Sequence, residues 1–340
     1  MKCQIWVKYM TEPISVVITC YNLERYIGQA IRSVLEQDYE GEIQIIVVDD
    51  RSTDRSRDIL SDTVGIETVL RKENGGVMRA MISGLRAVRH DMVFFLDGDD
   101  IWHREKLMRC MTQITSQTKL CTHDLWYMDS TGQTTVKESR VSEVLGQAEP
   151  SRRSALIEEG LLEHADYVWL GSALGVSRSR GAIDAFIEFC EKRDYLDTCY
   201  QDWPLALWVA LESGGKMTFA EQKLFGYRLH AENYSGATQT PEKLRRNLRK
   251  SRDTFRLIEE IIAAKRGGAA ITQNYRNVLM RYDLRLASTL PGRRRLAGQL
   301  LRAAPAIRAD SNGMKIILRV GLVLLFGPER AHRLVERLKS

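Results

Sequence analysis

Long uninterrupted apolar runs are missing from this 340-residue chain. The run over residues 316–326 is broken by Arg319 and falls well short of the ~20 residues that span a bilayer, so no membrane-spanning helix is expected there. The first twelve residues interleave Lys2, Gln4, Lys8 and Glu12 with apolar side chains and are read as lacking a signal peptide. The six cysteines (Cys3, Cys20, Cys110, Cys121, Cys190 and Cys199) form no C-x-x-C pair, which argues against a zinc cluster. They are expected as reduced thiols in a cytoplasmic protein. Glycine-rich phosphate loops are absent too. The turn after the first predicted strand reads Thr19-Cys20-Tyr21-Asn22-Leu23-Glu24, neither G-x-G-x-x-G nor a Walker sequence. So bulky a turn cannot bring backbone amides against a pyrophosphate, and a nucleotide held here would need side chains and a metal instead.

Charge is unevenly spread. Residues 241–340 hold 23 Lys and Arg against 8 Asp and Glu, a balance of +15; the whole chain is +6, which leaves residues 1–240 at −9. Two regions with separate tasks are expected, an acidic one over 1–240 and a basic helical one over 241–340. In the first, apolar runs at 14–19, 43–48, 68–70 and 93–96 alternate with helical spacing at 23–36, around 57–60 and at 77–88. This β-α-β-α-β-α-β order with short connections predicts a parallel sheet with right-handed crossovers. A helix is predicted over 103–115, a strand over 120–127, an apolar stretch over 167–176, a helix over 205–211 and a last strand over 225–229. Successive strands end in Thr19/Tyr21, Asp49/Asp50 and Asp97/Asp99, at one sheet edge, where open α/β sheets bind ligands.

The stretch Met92-Val93-Phe94-Phe95-Leu96-Asp97-Gly98-Asp99-Asp100 concentrates that chemistry. A strand buried on both faces ends in three carboxylates around a glycine, which is expected to let the chain turn sharply. Crowded carboxylates need a cation, and a divalent ion shared with a substrate phosphate meets that need. The plainer reading is a solvated acidic turn capping a helix.

Four segments together carry a family resemblance. They are Pro13-Ile14-Ser15-Val16-Val17-Ile18-Thr19-Cys20-Tyr21-Asn22, Ile46-Val47-Val48-Asp49-Asp50-Arg51-Ser52-Thr53-Asp54, Glu73-Asn74-Gly75-Gly76 and Leu96-Asp97-Gly98-Asp99-Asp100. In order and spacing the chain resembles glycosyltransferase family 2 over residues 13–236. The resemblance implies a GT-A fold: a mixed, mainly parallel α/β sheet flanked by helices, here with a C-terminal helical extension. It also implies inverting transfer of a hexosyl or deoxyhexosyl group from a nucleotide-sugar, with Mg²⁺ or Mn²⁺ as cofactor. By position, Thr19, Tyr21, Asn22, Asp50, Asn74 and Asp97 would bind the donor, with the Tyr21 ring against the base and Asp50 accepting from it. Asp99, Asp97 and His230 would hold the metal, and Arg228 would make a forked contact to the diphosphate. Asn233 and Ser235 follow in the same closing segment. Asp202, in Gln201-Asp202-Trp203, would be the general base, since inversion needs a group to take the acceptor hydroxyl's proton.

Plainer uses stay open for Asp50 and Asp202 as helix caps and for His230 as a loop histidine. Asp124 and Asp129 are read as structural. The chain departs from the family pattern at Gln201 (usually Glu), at Arg51 (usually Gly or Asn) and at Met81-Ile82 (often Arg-Asn), where Arg71, Lys72 or Arg79 would have to supply a lost polar contact.

A sugar-1-phosphate nucleotidyltransferase is a rival reading, but its Gly-rich signature after the first strand is missing. A nucleic-acid-binding protein is another. Residues 241–340 offer few stacking aromatics (Phe255, Tyr275, Tyr282 and Phe326), which weighs against it. Basic residues flanking apolar ones in that region suit a helix lying in an anionic membrane surface. The expected partners are then a nucleotide-sugar donor and a glycan or lipid-linked acceptor in cell-surface polysaccharide synthesis, met at the inner face of the cytoplasmic membrane.

Overall fold

A computed structural model describes residues 11–145, 148–162, 171–178, 181–212, 216–230, 241–265, 269–288, 292–307 and 311–337. The chain divides into two compact units, Met1–Ala237 and Thr238–Ser340.

The first unit is built on one eight-stranded sheet of order β3-β2-β1-β4-β7-β6-β8-β5. Its strands are β1 (Ile14–Cys20), β2 (Ile43–Asp49), β3 (Glu67–Leu70), β4 (Met92–Asp97), β5 (Ile101–Trp102), β6 (Thr118–Met128), β7 (Gly175–Ser177) and β8 (Lys216–Arg228). Strands β1 to β4 are mutually parallel, as their short helical crossovers demand. Short β7 runs antiparallel to both β4 and β6, and β6 pairs in parallel with β8. The mixed, mainly parallel sheet expected from the sequence is what forms.

Helices α1 (Ile27–Leu35), α2 (Ser56–Ser61), α3 (Gly76–Ala87) and α4 (Lys106–Met111) flank this sheet. Helix α1 turns Ile27, Ala30, Ile31 and Val34 inward, the i, i+3, i+4, i+7 stripe of a one-sided helix. These side chains join Val16, Ile18, Phe94 and Leu96 in the main core. Met81 and Ile82 are buried on α3. Both belong to the face of α3 that is turned inward.

Several element bounds differ from the sequence reading. The helix expected over 23–36 starts at Ile27, because residues 23–26 form a turn whose Leu23 carbonyl accepts from Tyr26 and Ile27. The helix expected over 103–115 is confined to Lys106–Met111. The last strand begins at Lys216 rather than 225. Its first half hides among polar residues, with Met217, Ala220 and Leu224 inward and Glu221, Gln222 and Lys223 exposed. In the polar stretch 134–166, α5 (Arg140–Leu145) and α6 (Pro150–Leu162) form. Much of the apolar stretch expected over 167–176, and Asn233 and Ser235, lie outside the described residues. Helices α7 (Ala182–Glu191) and α8 (Asp202–Ala210) complete the unit; α8 starts three residues earlier than expected, with Asp202 in its first turn.

The second unit is helical: α9 (Pro241–Ala264), α10 (Ala269–Ala287), α11 (Arg293–Ile307), α12 (Ser311–Phe326) and α13 (Pro328–Arg337). Buried Leu257, Ile258, Ile261 and Ile262 give α9 its inner face, and Phe255 packs against Tyr275 and Tyr282 of α10. A second core joins Leu284, Leu296, Val320, Val323 and Ala331. Among the described residues, no helix is long and apolar enough to cross a membrane.

Candidate active site

The acidic turn after β4 is folded back onto the end of β1. Gly98 N–H donates to the Thr19 carbonyl at 2.9 Å. A Cβ on Gly98 would stand 2.7 Å from that oxygen and 3.0 Å from Ile27 and Leu23 methyls. Glycine is therefore required by close approach, and not by a left-handed turn, since Gly98 is not among the residues with positive φ.

Each carboxylate of the turn has its own surroundings. Asp97 Oδ1 accepts from Gln201 Nε2 at 2.9 Å and from Thr19 Oγ1 at 3.3 Å. Asp99, at the rim, meets His230 Nε2 through Oδ2 at 2.9 Å, and the His230 ring leans on Tyr26. Asp100 is buried; its oxygens accept from Ser172 Oγ at 2.6 Å and from Arg228 N–H at 3.0 Å. Burial, then the charges of Asp99 and Asp97, push the Asp100 carboxyl well above the ordinary range.

Arg228 corrects an expectation. Its side chain is 1% exposed, donates from Nε to the Asp99 carbonyl at 2.7 Å and from Nη2 to Gln29 Oε1 at 2.8 Å, and lies over the Tyr26 ring. It clamps the acidic turn from behind and is not open to a diphosphate. The planar guanidinium suits that task, since its several donors are held in a rigid fork.

At the end of β2, Asp50 is buried. Its oxygens accept from Arg71 Nε at 2.7 Å, Gly75 N–H at 3.0 Å and Gly76 N–H at 2.7 Å. It thus holds the loop that carries exposed Asn74, and Arg71 is the group it meets. Arg71 continues to Ser83 Oγ at 2.6 Å. Asn22 sits at φ 55° and its Oδ1 accepts from Thr53 N–H at 2.8 Å, which ties the β1 turn to the β2 loop. Asn tolerates that left-handed backbone. Tyr21 is 47% exposed at the same mouth. Arg51, where the family favours Gly or Asn, keeps the left-handed turn at φ 64°.

Asp202 lies on the first turn of α8, with its Oδ1 accepting the Trp203 N–H at 2.9 Å. The point where a Cβ on Gly171 would stand is 3.1 Å from Gln201 Nε2, 3.6 Å from Asp97 Oδ2 and 3.7 Å from Asp202 Cβ. Residues far apart in sequence therefore flank one spot. The circuit also closes through the loops. Gly76, at φ 77°, would place a Cβ 2.3 Å from the Asp197 carbonyl, just ahead of α8. Asp50 N–H donates to the Cys20 carbonyl at 2.8 Å, beside Thr19, and Thr19 is in register with Asp97. Thr19, Asp97 and Asp202 thus gather near Gly171, Asp50 is tied to them through the Cys20 carbonyl, and Asp99 with His230 stands at the other end of the acidic turn.

Sequence reasoning missed two residues. Ser172, fully buried, links Asp100 with the Asp97 N–H, which donates to its Oγ at 3.1 Å. Its carbonyl accepts from Lys106 Nζ at 2.5 Å and Trp102 Nε1 at 3.2 Å. The small polar pair Gly171-Ser172 inside an apolar stretch was the available signal. Lys106 is buried over the Trp102 ring, 3.7 Å from its centroid, and burial brings its ammonium down to about 7. Nothing in an ordinary amphipathic stretch announces it. Asp124 and Asp129 are structural as expected, binding Ser142 and the Thr131–Gln133 turn. His123 packs against Phe225, and burial keeps its ring well below the usual range.

Whether these residues suit a divalent ion turns on Asp99 and His230. Octahedral Mg²⁺ has ligands at ~2.1 Å, so adjacent ligand atoms are ~3 Å apart. Asp99 Oδ2 and His230 Nε2, 2.9 Å apart, match one such pair of positions. Asp97 does not complete a triad: among the described residues no group of three His, Cys, Asp or Glu is arranged to hold a metal. Its Oδ1 is turned to Thr19 and Gln201 instead. Of the expected three-residue set, Asp99 and His230 are the two that stand together.

This sheet, with acidic side chains gathered at the carboxyl ends of its parallel strands, is of the GT-A type. Residues 15–158, less than half of the chain, match the model of the family described as glycosyl transferase family 2. An uncharacterized glycosyltransferase of Nostoc sp. is 41% identical over 101 residues, 28% of this chain and 31% of the relative. TuaG of Bacillus subtilis, named for teichuronic acid biosynthesis, is 38% identical over 98 residues, 28% of this chain and 38% of TuaG. The chain thus spans about a third of the length of these curated relatives. Among solved structures, S. aureus TarS 1–349 in complex with UDP-GlcNAc superposes with a TM-score of 0.53 at 17% identity, over 92% of this chain and 83% of TarS 1–349. The mannosyltransferase PcManGT from Pyrobaculum calidifontis, in complex with GDP-Man and Mn²⁺, gives 0.53 at 14% identity over 96% and 93%. At those identities the likeness speaks for the fold.

Proposed function

We propose that this chain is a metal-dependent inverting glycosyltransferase. It moves a hexosyl or deoxyhexosyl group from a nucleoside-diphosphate donor to a glycan or lipid-linked acceptor in cell-surface polysaccharide assembly. The observation that carries the reading is that Asp97 and Asp202, 105 residues apart in sequence, both lie within 4 Å of where a Cβ on Gly171 would stand. The complexes of TarS with UDP-GlcNAc and of PcManGT with GDP-Man support a nucleotide-sugar as the donor class. TuaG supports the polysaccharide setting.

In this reading the exposed Tyr21 ring stacks on the base. Arg71, oriented by Asp50, reaches its edge, and Thr19 and Asp97 bind the ribose side. Asp202 takes the proton of the acceptor hydroxyl as its oxygen bonds to the anomeric carbon and the bond from that carbon to the diphosphate breaks. Asp99 and His230 would hold Mg²⁺ or Mn²⁺, which would supply charge neutralisation for the diphosphate. Arg228 and Ser172 keep the acidic turn in place from the protein side. Gln201 holds Asp97 at the position where the family has Glu. The setting proposed is the cytoplasmic face of the membrane, with the basic second unit towards anionic lipid.

Calorimetry of UDP and GDP with and without Mn²⁺ tests this. Wild-type protein is expected to bind one of them only with the metal, and Asp99→Ala to lose that dependence together with most of the affinity. Equal binding in the absence of metal would contradict the assignment.

A further inference from the structure

Helices α10 and α12 of the second unit bound a cavity of about 630 Å³, within the range of ligand pockets. Its floor is apolar, with Val278 on α10 and Ile316 and Val320 on α12. Four cationic side chains line it: Arg281 and Arg285 from α10, Lys315 and Arg319 from α12. Each pair is spaced i, i+4, so both members share one helix face. Among the described residues, no Asp or Glu lines it. Arg285, Lys315 and Arg319 have no carboxylate partner among the described residues. In the same unit, exposed basic residues elsewhere do find one, such as Arg276 with Glu259 and Arg256 with Glu260.

Beside the cavity, α12 leaves large apolar side chains in water. Met314 is 51% exposed, Leu318 61%, Leu325 71% and Phe326 46%. The helix has 16 residues, ~24 Å at 1.5 Å per residue, against ~30 Å of bilayer hydrocarbon. It can lie in an interface and cannot cross one. Like charges around an apolar floor, next to exposed apolar side chains, fit one kind of occupant: an anionic head attached to a hydrocarbon chain.

We propose that the α10–α12 groove is a binding site for a membrane lipid bearing a phosphate head group. Arg285, Lys315 and Arg319 take the phosphate, and the floor takes the first part of the chain. Leu318, Leu325 and Phe326 enter the surrounding bilayer. This narrows the membrane contact proposed for the basic unit, rests on it, and is independent of Asp202 and the metal. A soluble polyanion offers nothing to the apolar floor, and a neutral lipid nothing to these cations.

The test uses the full chain and vesicles of phosphatidylcholine with and without phosphatidate, in parallel with Mn²⁺-dependent nucleotide binding. Vesicle binding is expected with phosphatidate only, and to fall as salt screens the head groups. A Lys or Arg near an anionic surface contributes roughly fivefold in affinity, so Lys315→Glu with Arg319→Glu is expected to weaken vesicle binding by at least about thirtyfold. Arg246→Glu with Arg249→Glu, on α9, removes the same charge and is expected to weaken it only severalfold. Leu318→Gln, at an exposed position, is expected to weaken binding without altering melting. Equal loss from the two charge pairs, or no vesicle binding at low salt, overturns the site. Binding displaced by inorganic phosphate but indifferent to Leu318→Gln overturns the lipid assignment. Wild-type chain that binds nucleotide with Mn²⁺ but no phosphatidate vesicle removes this proposal alone; wild-type chain that binds the vesicles but no nucleotide removes the enzymatic reading alone.

Discussion

The two units handle charge in opposite ways. In the first, the acids at the sheet edge are answered from within. Asp100 has Ser172 and the Arg228 N–H, Asp50 has Arg71 and two loop amides, and Asp99 has His230. In the second, Lys315 and Arg319 line a groove with no carboxylate partner among the described residues, and apolar residues beside them face water. Internally satisfied charge fixes geometry, because each hydrogen bond restricts the carboxylate to one position. Charge left over is available to a partner. The first arrangement suits chemistry that needs placed atoms, the second suits attraction to a surface.

Removing an internal partner from the first unit should therefore cost most. Ser172→Ala leaves the buried Asp100 oxygen without a donor and the Asp97 N–H without an acceptor. Orphaned buried groups cost about 1–3 kcal/mol each, so a loss of roughly 2–4 kcal/mol is expected in urea unfolding. Metal-dependent nucleotide affinity should fall with it. Unchanged stability would show that the acidic turn does not depend on its rear support.

Lys106→Met sharpens the same point through pH. The folded ammonium titrates at about 7, and the unfolded one near ~10.4. Between these values the folded state binds fewer protons than the unfolded one, so stability rises with pH, by up to roughly 1 kcal/mol per unit. Above pH ~8.5, where unfolded thiols ionise, Cys20 and Cys190 oppose the rise, because burial pushes each folded thiol up to about 12. The wild type should thus gain stability from pH 7 to 8.5, and Lys106→Met should flatten that gain.

Smaller effects are expected where strain or leftover charge is removed. Arg51→Gly relieves a left-handed residue, worth ~1–2 kcal/mol, but adds ~0.5–1 kcal/mol of backbone freedom to the unfolded chain. A net stabilisation below about 1 kcal/mol should appear as a small rise in Tm. Smallest of all, Lys315→Glu with Arg319→Glu should shift unfolding by no more than about 0.5 kcal/mol, since surface positions without partners contribute little to folding. A loss as large as that of Ser172→Ala would erase the contrast between the units.

Much of the first unit was legible because its signals are local. The apolar runs of β1, β2 and β4 and the stripe on α1 follow from burial and period, and polar residues at strand ends mark the sheet's ligand edge. What escaped was set by tertiary approach. Gly98 looked like a turn glycine and is a contact glycine. Arg228 looked like a phosphate ligand, yet its reach from β8 buries it behind the acidic turn. Ser172 acts through three neighbours distant in sequence. The first half of β8 was hidden because a half-exposed strand with Glu221, Gln222 and Lys223 outward has no apolar run. On α12, a basic apolar helix was evident, but the groove it forms with Arg281 and Arg285 required the fold.

The central claim is that Asp202 performs the proton transfer while the rest of the cleft binds the donor. Asp202→Asn, studied with an accepted nucleotide-sugar and Mn²⁺, tests it most directly by measuring nucleotide affinity in calorimetry beside release of nucleoside diphosphate. Affinity within a fewfold of wild type is expected, with turnover reduced about 10²- to 10⁴-fold, the usual worth of a positioned general base. Turnover by Asp202→Asn at the wild-type rate would contradict the account.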